Sequence, residues 1–143
     1  MKFINNYIKE TEEICKKIDK SILEKIINEI CKVRNRHGRI FFLGVGGSAA
    51  HASHAVNDFR KLANIECYTP TDNVSELTAR TNDDGWKYVF RDWLKISKLN
   101  SKDLIFVFSV GGGNAKKRIS ENLILALKFA KTKKTKICGV VGK

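Results

Sequence analysis

One proline and ten glycines in 143 residues leave no room for a Pro-rich linker, a collagen-like repeat or a low-complexity tail. No apolar run approaches the roughly 20 residues a membrane helix needs. The longest, Ile40 to Val45 and Leu104 to Phe108, are the size of strands. No signal-peptide pattern opens the chain, so a cytoplasmic location and no membrane partner are expected. The four cysteines, Cys15, Cys31, Cys67 and Cys138, form no CxxC pair and no zinc-knuckle spacing. Reduced, partly buried thiols are the expectation. Acidic residues are the scarce charge, 15 against 27 Lys and Arg, for a net +12. Apart from the cluster Lys131 to Lys136, the cations are spread along helical stretches and no nucleic-acid reading motif accompanies them. The charge therefore reads as a solvated face that attracts small phosphates, with no nucleic-acid partner.

What is present is enough apolar sequence, 43% of residues, for one packed domain. Residues Phe3 to Arg36 place Ile4, Tyr7, Ile8, Ile14, Ile18, Ile22, Ile26, Ile27, Ile30 and Val33 at helical spacing. A capping box, Ser21 with Glu24, divides that run into two helices. Residues 1–37 thus form a helical leader suited to packing or oligomerisation. From Arg39 the pattern changes to short apolar strands alternating with helices, the mark of βαβ units with a parallel sheet covered on both faces. Strands are expected at Arg39 to Val45, Ile65 to Thr69, Leu104 to Ser109 and Lys136 to Val141. Helices are expected at Gly47 to Leu62, Asp72 to Thr81, Gly85 to Lys98 and Asn114 to Lys131. The fold class is a three-layer αβα arrangement around a parallel sheet, with the domain at 38–143. The last strand has no helix after it to cover its face, and the domain reads as C-terminally incomplete.

Two glycine-rich turns carry the functional signal. Gly44-Val45-Gly46-Gly47-Ser48 leads from the first strand into a helix, which puts backbone amides at a helix N-terminus beyond the strand's carboxyl end and makes an anion site. Ser109-Val110-Gly111-Gly112-Gly113-Asn114 follows the third strand in the same way, and both turns should meet at one edge of the sheet. Gly44, Gly46 and Ala49 also fit a dinucleotide pattern. The acidic residue that would hold a ribose is missing from the end of strand two, where Thr69, Pro70 and Thr71 stand, so no nucleotide cofactor is expected. On the helix after the first turn, His51, His54 and Asp58 fall at i, i+3 and i+7, within about 60° around the axis. Such a stripe suits proton transfer beside a carbonyl or part of a metal shell, and equally a surface ion pair of Asp58 with Arg60 or Lys61.

At these residues the chain resembles the sugar isomerase (SIS) domain family, and within it the phosphoheptose (sedoheptulose 7-phosphate) isomerases. The resemblance rests on the run GGSAAHASH, the segment TDNVSELTARTNDDGW and the serine-led glycine turn. It implies a five-stranded parallel sheet between helices in a homo-oligomer, a tetramer or dimer, with shared sites, and a phosphorylated sugar as partner. It further implies that Gly46, Gly47 and Ser48 meet the substrate, that Asn82 and Asp83 form a pair whose aspartate contacts the sugar, and that Ser109 begins a phosphate loop. That loop would continue through Gly111, Gly112, Gly113 and Asn114. His54 matches a histidine that binds zinc in some members. Asp58 stands where the family usually has a glutamate acting as catalytic base or metal ligand. Zinc held by His54 and Asp58 is thus an implied cofactor.

Three departures from the family pattern stand out. Asp58 is one carbon shorter than glutamate, Val45 replaces an asparagine, and the usual STSGNS loop has lost its hydroxyls except Ser109, leaving Asn114 and a basic neighbour such as Lys116 or Lys117. The family's last strand and helix, with a glutamine and a histidine of the active site, are not in this sequence. Two readings follow. One is an aldose–ketose isomerase working through an enediolate, with Asp58 or His54 moving the proton. The other is a non-catalytic SIS module that binds sugar phosphate or a protein partner.

Overall fold

The computed structural model describes residues 1–142. The leader forms two helices, α1 (Lys2–Lys17) and α2 (Lys20–Asn35). The break falls two residues before the expected capping box. Asp19, not Ser21, is the cap, and its carboxylate accepts from the amides of Ser21 and Ile22. The Ser21 side chain, and then those two amides, hold the Asp19 carboxyl below its usual pKa. Asp is a strong cap because one oxygen can satisfy amides that the first turn leaves free.

The domain follows as β1 (Arg39–Leu43), α3 (Gly47–Lys61), β2 (Glu66–Tyr68) and α4 (Val74–Asp83). A 3-10 turn at Trp86–Tyr88 leads into α5 (Val89–Ile96), and β3 (Leu104–Ser109), α6 (Glu121–Thr132) and β4 (Lys136–Val141) complete it. The strands form one parallel sheet in the order β2-β1-β3-β4. Helices cover both faces, as the continuous apolar strands require. Phe41, Leu43, Ile105 and Val107 pack under α5 and α6, and Ile40, Phe42, Leu104 and Phe106 pack under α2 and α3.

Several boundaries differ from expectation for local reasons. Asn73 caps α4 by accepting from the Glu76 amide, so that helix starts at Val74 rather than Asp72. The helix expected from Gly85 opens as the 3-10 turn, because Gly85 is left-handed at φ 91. The largest correction concerns Asn114 to Ser120, which is no helix. Asn114 and Ile119 exchange backbone hydrogen bonds of 2.9 and 3.0 Å as a short hairpin, and α6 begins only at Glu121. Positive φ at Gly112, Gly113, Arg118 and Ser120 cannot be absorbed by an α-helix.

At the amino end of the sheet Asp103, 1% exposed, is an electrostatic clamp between β1 and the loop before β3. Its carboxylate accepts from the Arg39 amide and Nε, both at 3.1 Å, from Arg39 Nη2 at 2.8 Å and from the Asn100 amide at 3.0 Å. This pairing raises the pKa of the Arg39 guanidinium further. Replacing Asp103 by Ala strands a partly buried arginine and two backbone donors. Urea unfolding of Asp103→Ala is expected to show a loss of about 3 kcal/mol, and a loss below about 1 kcal/mol, the range of an exposed pair, would contradict the clamp.

Candidate functional site

Because β1 and β3 are parallel neighbours with Leu43 opposite Val107, both chains leave the sheet at the same edge. Adjacent strands lie about 4.8 Å apart. The turns Gly44–Ser48 and Ser109–Asn114 therefore open side by side, as the two anion cradles require.

The glycines of the first turn do different work. Gly44 is buried, and a Cβ there would lie 2.2 Å from the Ser48 carbonyl oxygen, so this glycine lets α3 pack against β1. Gly46 caps α3 at φ 60, and around both Gly46 and Gly47 the space within 4 Å of a Cβ position is empty. These two leave the helix N-terminus open to an approaching anion. Ser48 is half-buried at the head of α3.

In the second turn Ser109 Oγ accepts from the Gly112 amide at 3.0 Å, which shapes the loop and leaves the hydroxyl proton free to donate. Gly111 is exposed, while Gly112 and Gly113 are half-buried with φ 67 and 83. Asn114 turns to local work, accepting from the Lys117 amide at 3.0 Å.

His54 and Asp58 meet, with Nε2 and Oδ2 3.2 Å apart, so Asp58 pairs with His54 rather than with Arg60 or Lys61. The side chains are 77% and 43% exposed. At 1.5 Å per residue, His54 lies about 9 Å and Asp58 about 15 Å along α3 from Ser48. His51 is exposed beside the Phe108 ring, 6.2 Å between centroids, over the end of β3. Asn82 and Asp83 are exposed at the end of α4, with Asn82 donating to the Asp83 carboxylate at 2.8 Å.

The donor set does not fit the implied zinc. Among the described residues no group of three or more His, Cys, Asp and Glu side chains comes together to hold a metal. A histidine and an aspartate from one helix fill half of a tetrahedral shell. Cys67 and Cys138 offer no nucleophile either, since burial pushes their thiols up to about 12 and about 11.

Asn122 escaped the sequence reading. It is 1% exposed in the first turn of α6, and its Nδ2 has no hydrogen-bond partner. The only local signal was an Asn two places after Ser120, at the start of an apolar run. Ser53 was missed as well; its hydroxyl donates to the Asp72 carboxylate and ties α3 to the loop before α4.

No family model matches the chain. Phosphoheptose isomerase 1 of Campylobacter jejuni is 31% identical over 132 residues, which covers 87% of this chain and 66% of that protein. A protein named as a probable phosphoheptose isomerase in Thermoplasma volcanium is 28% identical over 145 residues, covering 98% and 70%. The chain belongs to the phosphoheptose isomerase-like SIS family. The lincomycin biosynthesis protein LmbN of Streptomyces lincolnensis is 31% identical to this SIS chain over 115 residues, covering 73% of the chain and 40% of LmbN. The chain thus spans between 40% and 70% of the length of these curated relatives. In fold it superposes on the phosphoheptose isomerase GmhA of Neisseria gonorrhoeae with a TM-score of 0.84 at 23% identity, covering 99% of this chain and 75% of that one.

Proposed function

We propose that this SIS chain binds a phosphorylated sugar between its two glycine turns and serves the aldose–ketose isomerisation of sedoheptulose 7-phosphate or a related phosphosugar. The observation that supports this most is the in-register pairing of β1 with β3, which sets two amide-lined turns at one sheet edge. In this reading Gly46, Gly47 and Ser48 bind one end of the substrate, and Ser109 with Gly111, Gly112, Gly113 and Asn114 takes the phosphate. Asn82 and Asp83 orient the sugar hydroxyls. Asp58 removes a proton from the carbon beside the carbonyl to give an enediolate and returns it to the former carbonyl carbon, while the hydroxyl proton passes from the neighbouring oxygen to the former carbonyl oxygen. His54 positions that carboxylate.

The proton-transfer pair lies too far along α3 to serve the turn at the head of its own helix, and it faces solvent. The reading is therefore a homo-oligomer in which the pair completes a neighbour's site. The leader favours the same conclusion. Phe3, Ile4, Tyr7, Ile8, Ile14 and Ile18 are all exposed, and α1 buries none of its residues. An apolar stripe of that size on a lone helix calls for a partner.

A second reading, sugar-phosphate binding without catalysis, draws on the short carboxylate of Asp58 and the exposure of its pair. Solvent-deuterium exchange into sedoheptulose 7-phosphate, followed by NMR, separates the two. The isomerase reading predicts exchange in the wild type and a fall of about 10²-fold or more in Asp58→Ala with substrate affinity retained. Binding with no exchange in the wild type favours the binding module. Light scattering of the same samples is expected to give a dimer or tetramer, dissociated by Ile4→Asp with Ile8→Asp. A wild-type monomer at micromolar concentration would contradict the shared site.

A further inference from the structure

Four connections enter the sheet at its amino end, one before each strand. The strands begin in register there, with Arg39 opposite Glu66 and Leu104 opposite both Ile40 and Lys136. Segments 36–38, 62–65, 97–103 and 133–135 therefore form one level face, at the opposite end of the sheet from the glycine turns. Hydrogen bonds tie three of the connections together. Arg36 Nε donates to the Lys102 carbonyl at 2.8 Å, Arg39 Nη1 to the Ser97 carbonyl at 2.9 Å and Thr135 Oγ1 to the Asn100 carbonyl at 2.9 Å. Gly38 passes so close to Lys102 that a Cβ would lie 2.0 Å from its carbonyl oxygen. The face is built into the fold before any partner arrives.

Onto this face and the helix ends that frame it the fold gathers cations that lie far apart in the sequence. Arg34, Lys61, Lys98, Lys102, Lys133 and Lys134 are exposed and make no ion pair among the described residues. The one acid in the four segments is Asp103, buried and already engaged by Arg39. Glu66, exposed at the start of β2, offsets a single charge. Helix capping does not account for the cations, because the Gly38, Leu99 and Thr135 amides return to the carbonyls of Val33, Leu94 and Ala130 at 2.9, 3.2 and 3.2 Å. The macrodipoles of α2, α3, α5 and α6 sum to about two negative charges at this end, well short of the six cations named. Nor do these cations serve the sugar phosphate. The six residues of β3 rise about 3.3 Å each, which sets the turns about 20 Å away. That is more than twice the screening length of about 8 Å at physiological salt.

Two large aliphatic side chains flank the cations. Leu62 follows α3 and is 76% exposed, and Ile96 ends α5 and is 68% exposed. Those helices cover opposite faces of the sheet, so the two residues stand on either side of the basic strip. None of the four segments carries an aromatic residue on which a base could stack, and no helix or hairpin projects from the face to enter a groove. We propose that this end of the domain docks on an anionic lipid surface, its lysines meeting the headgroups while Leu62 and Ile96 enter the interface. Among the described residues no helix is long and apolar enough to cross a membrane, and this contact needs none. Docked in this way, the chain keeps its glycine turns on the side away from the bilayer, open to a water-soluble sugar. The inference goes beyond the isomerase reading and does not rest on it.

Co-sedimentation of the full chain with vesicles of phosphatidylcholine alone, and of an equal mixture of phosphatidylcholine and phosphatidylglycerol, tests the docking face. Binding to the mixed vesicles only, weakening as salt rises, is expected. Each lysine near an anionic bilayer contributes roughly fivefold, so Lys102→Ala with Lys133→Ala is expected to weaken binding at least about tenfold while the melting temperature stays put. Lys116→Ala with Lys117→Ala removes the same charge from the opposite end of the sheet and is expected to leave vesicle binding unchanged. Leu62→Ser with Ile96→Ser is expected to weaken it several-fold without altering the weak binding of a DNA duplex. Equal losses in the two lysine pairs would assign the effect to net charge and overturn the face. So would wild-type binding in the Leu62→Ser, Ile96→Ser variant, tighter binding to the duplex than to the mixed vesicles, or no vesicle binding at all.

Discussion

The parallel pairing of β1 with β3 is the constraint on which the account depends. Leu43 opposite Val107 brings the two glycine turns out at one edge, a strand spacing apart. A slip of one residue would turn Phe41 and Phe42, now buried on opposite faces, toward the wrong helices. Burial on both faces thus makes the register costly to change. At the other end of the same strand pair, Asp103 ties the Arg39 amide and guanidinium to the entry of β3. The pair is held by apolar packing along its length and by hydrogen bonds to a carboxylate where it begins, and its carboxyl end is free to open into turns.

The turns themselves divide their labour. Gly44 exists for packing, since any side chain would meet the Ser48 carbonyl. Gly46 and Gly47 leave the helix end uncovered. In the second turn Ser109 spends its acceptor on the Gly112 amide and keeps its proton. The loop then passes into a hairpin instead of a helix, α6 starts without a side-chain cap, and Asn122 Nδ2 has no hydrogen-bond partner. Loss of hydroxyls from this loop is accompanied by an exposed cationic tip at Lys116 and Lys117.

Much of this was legible in the residues. The limits of β3 and β4 and the start of α3 match the apolar runs and the glycine turn, because continuous burial leaves a strong pattern. The parallel αβα architecture followed from strand and helix alternation. Local competition hid the rest. Asp19 outbid Ser21 as a cap because its carboxylate reaches two amides. The stretch Asn114 to Ser120 looked like the first turns of a helix, yet it holds a single large apolar residue, Ile119, and its true periodicity starts at Leu123. The contact of His54 with Asp58 is the i, i+4 geometry of any helix. Their distance from the first turn follows from the same helix rise, whereas the exposure of the pair had no signal in the residues.

The shared pocket is tested most directly by titrating sedoheptulose 7-phosphate into the isotopically labelled full chain and following the backbone amides of both turns. The account predicts that resonances of Gly46 to Ser48 and of Gly111 to Gly113 move together along one binding curve. Movement of one group alone, or two curves with different midpoints, would contradict it.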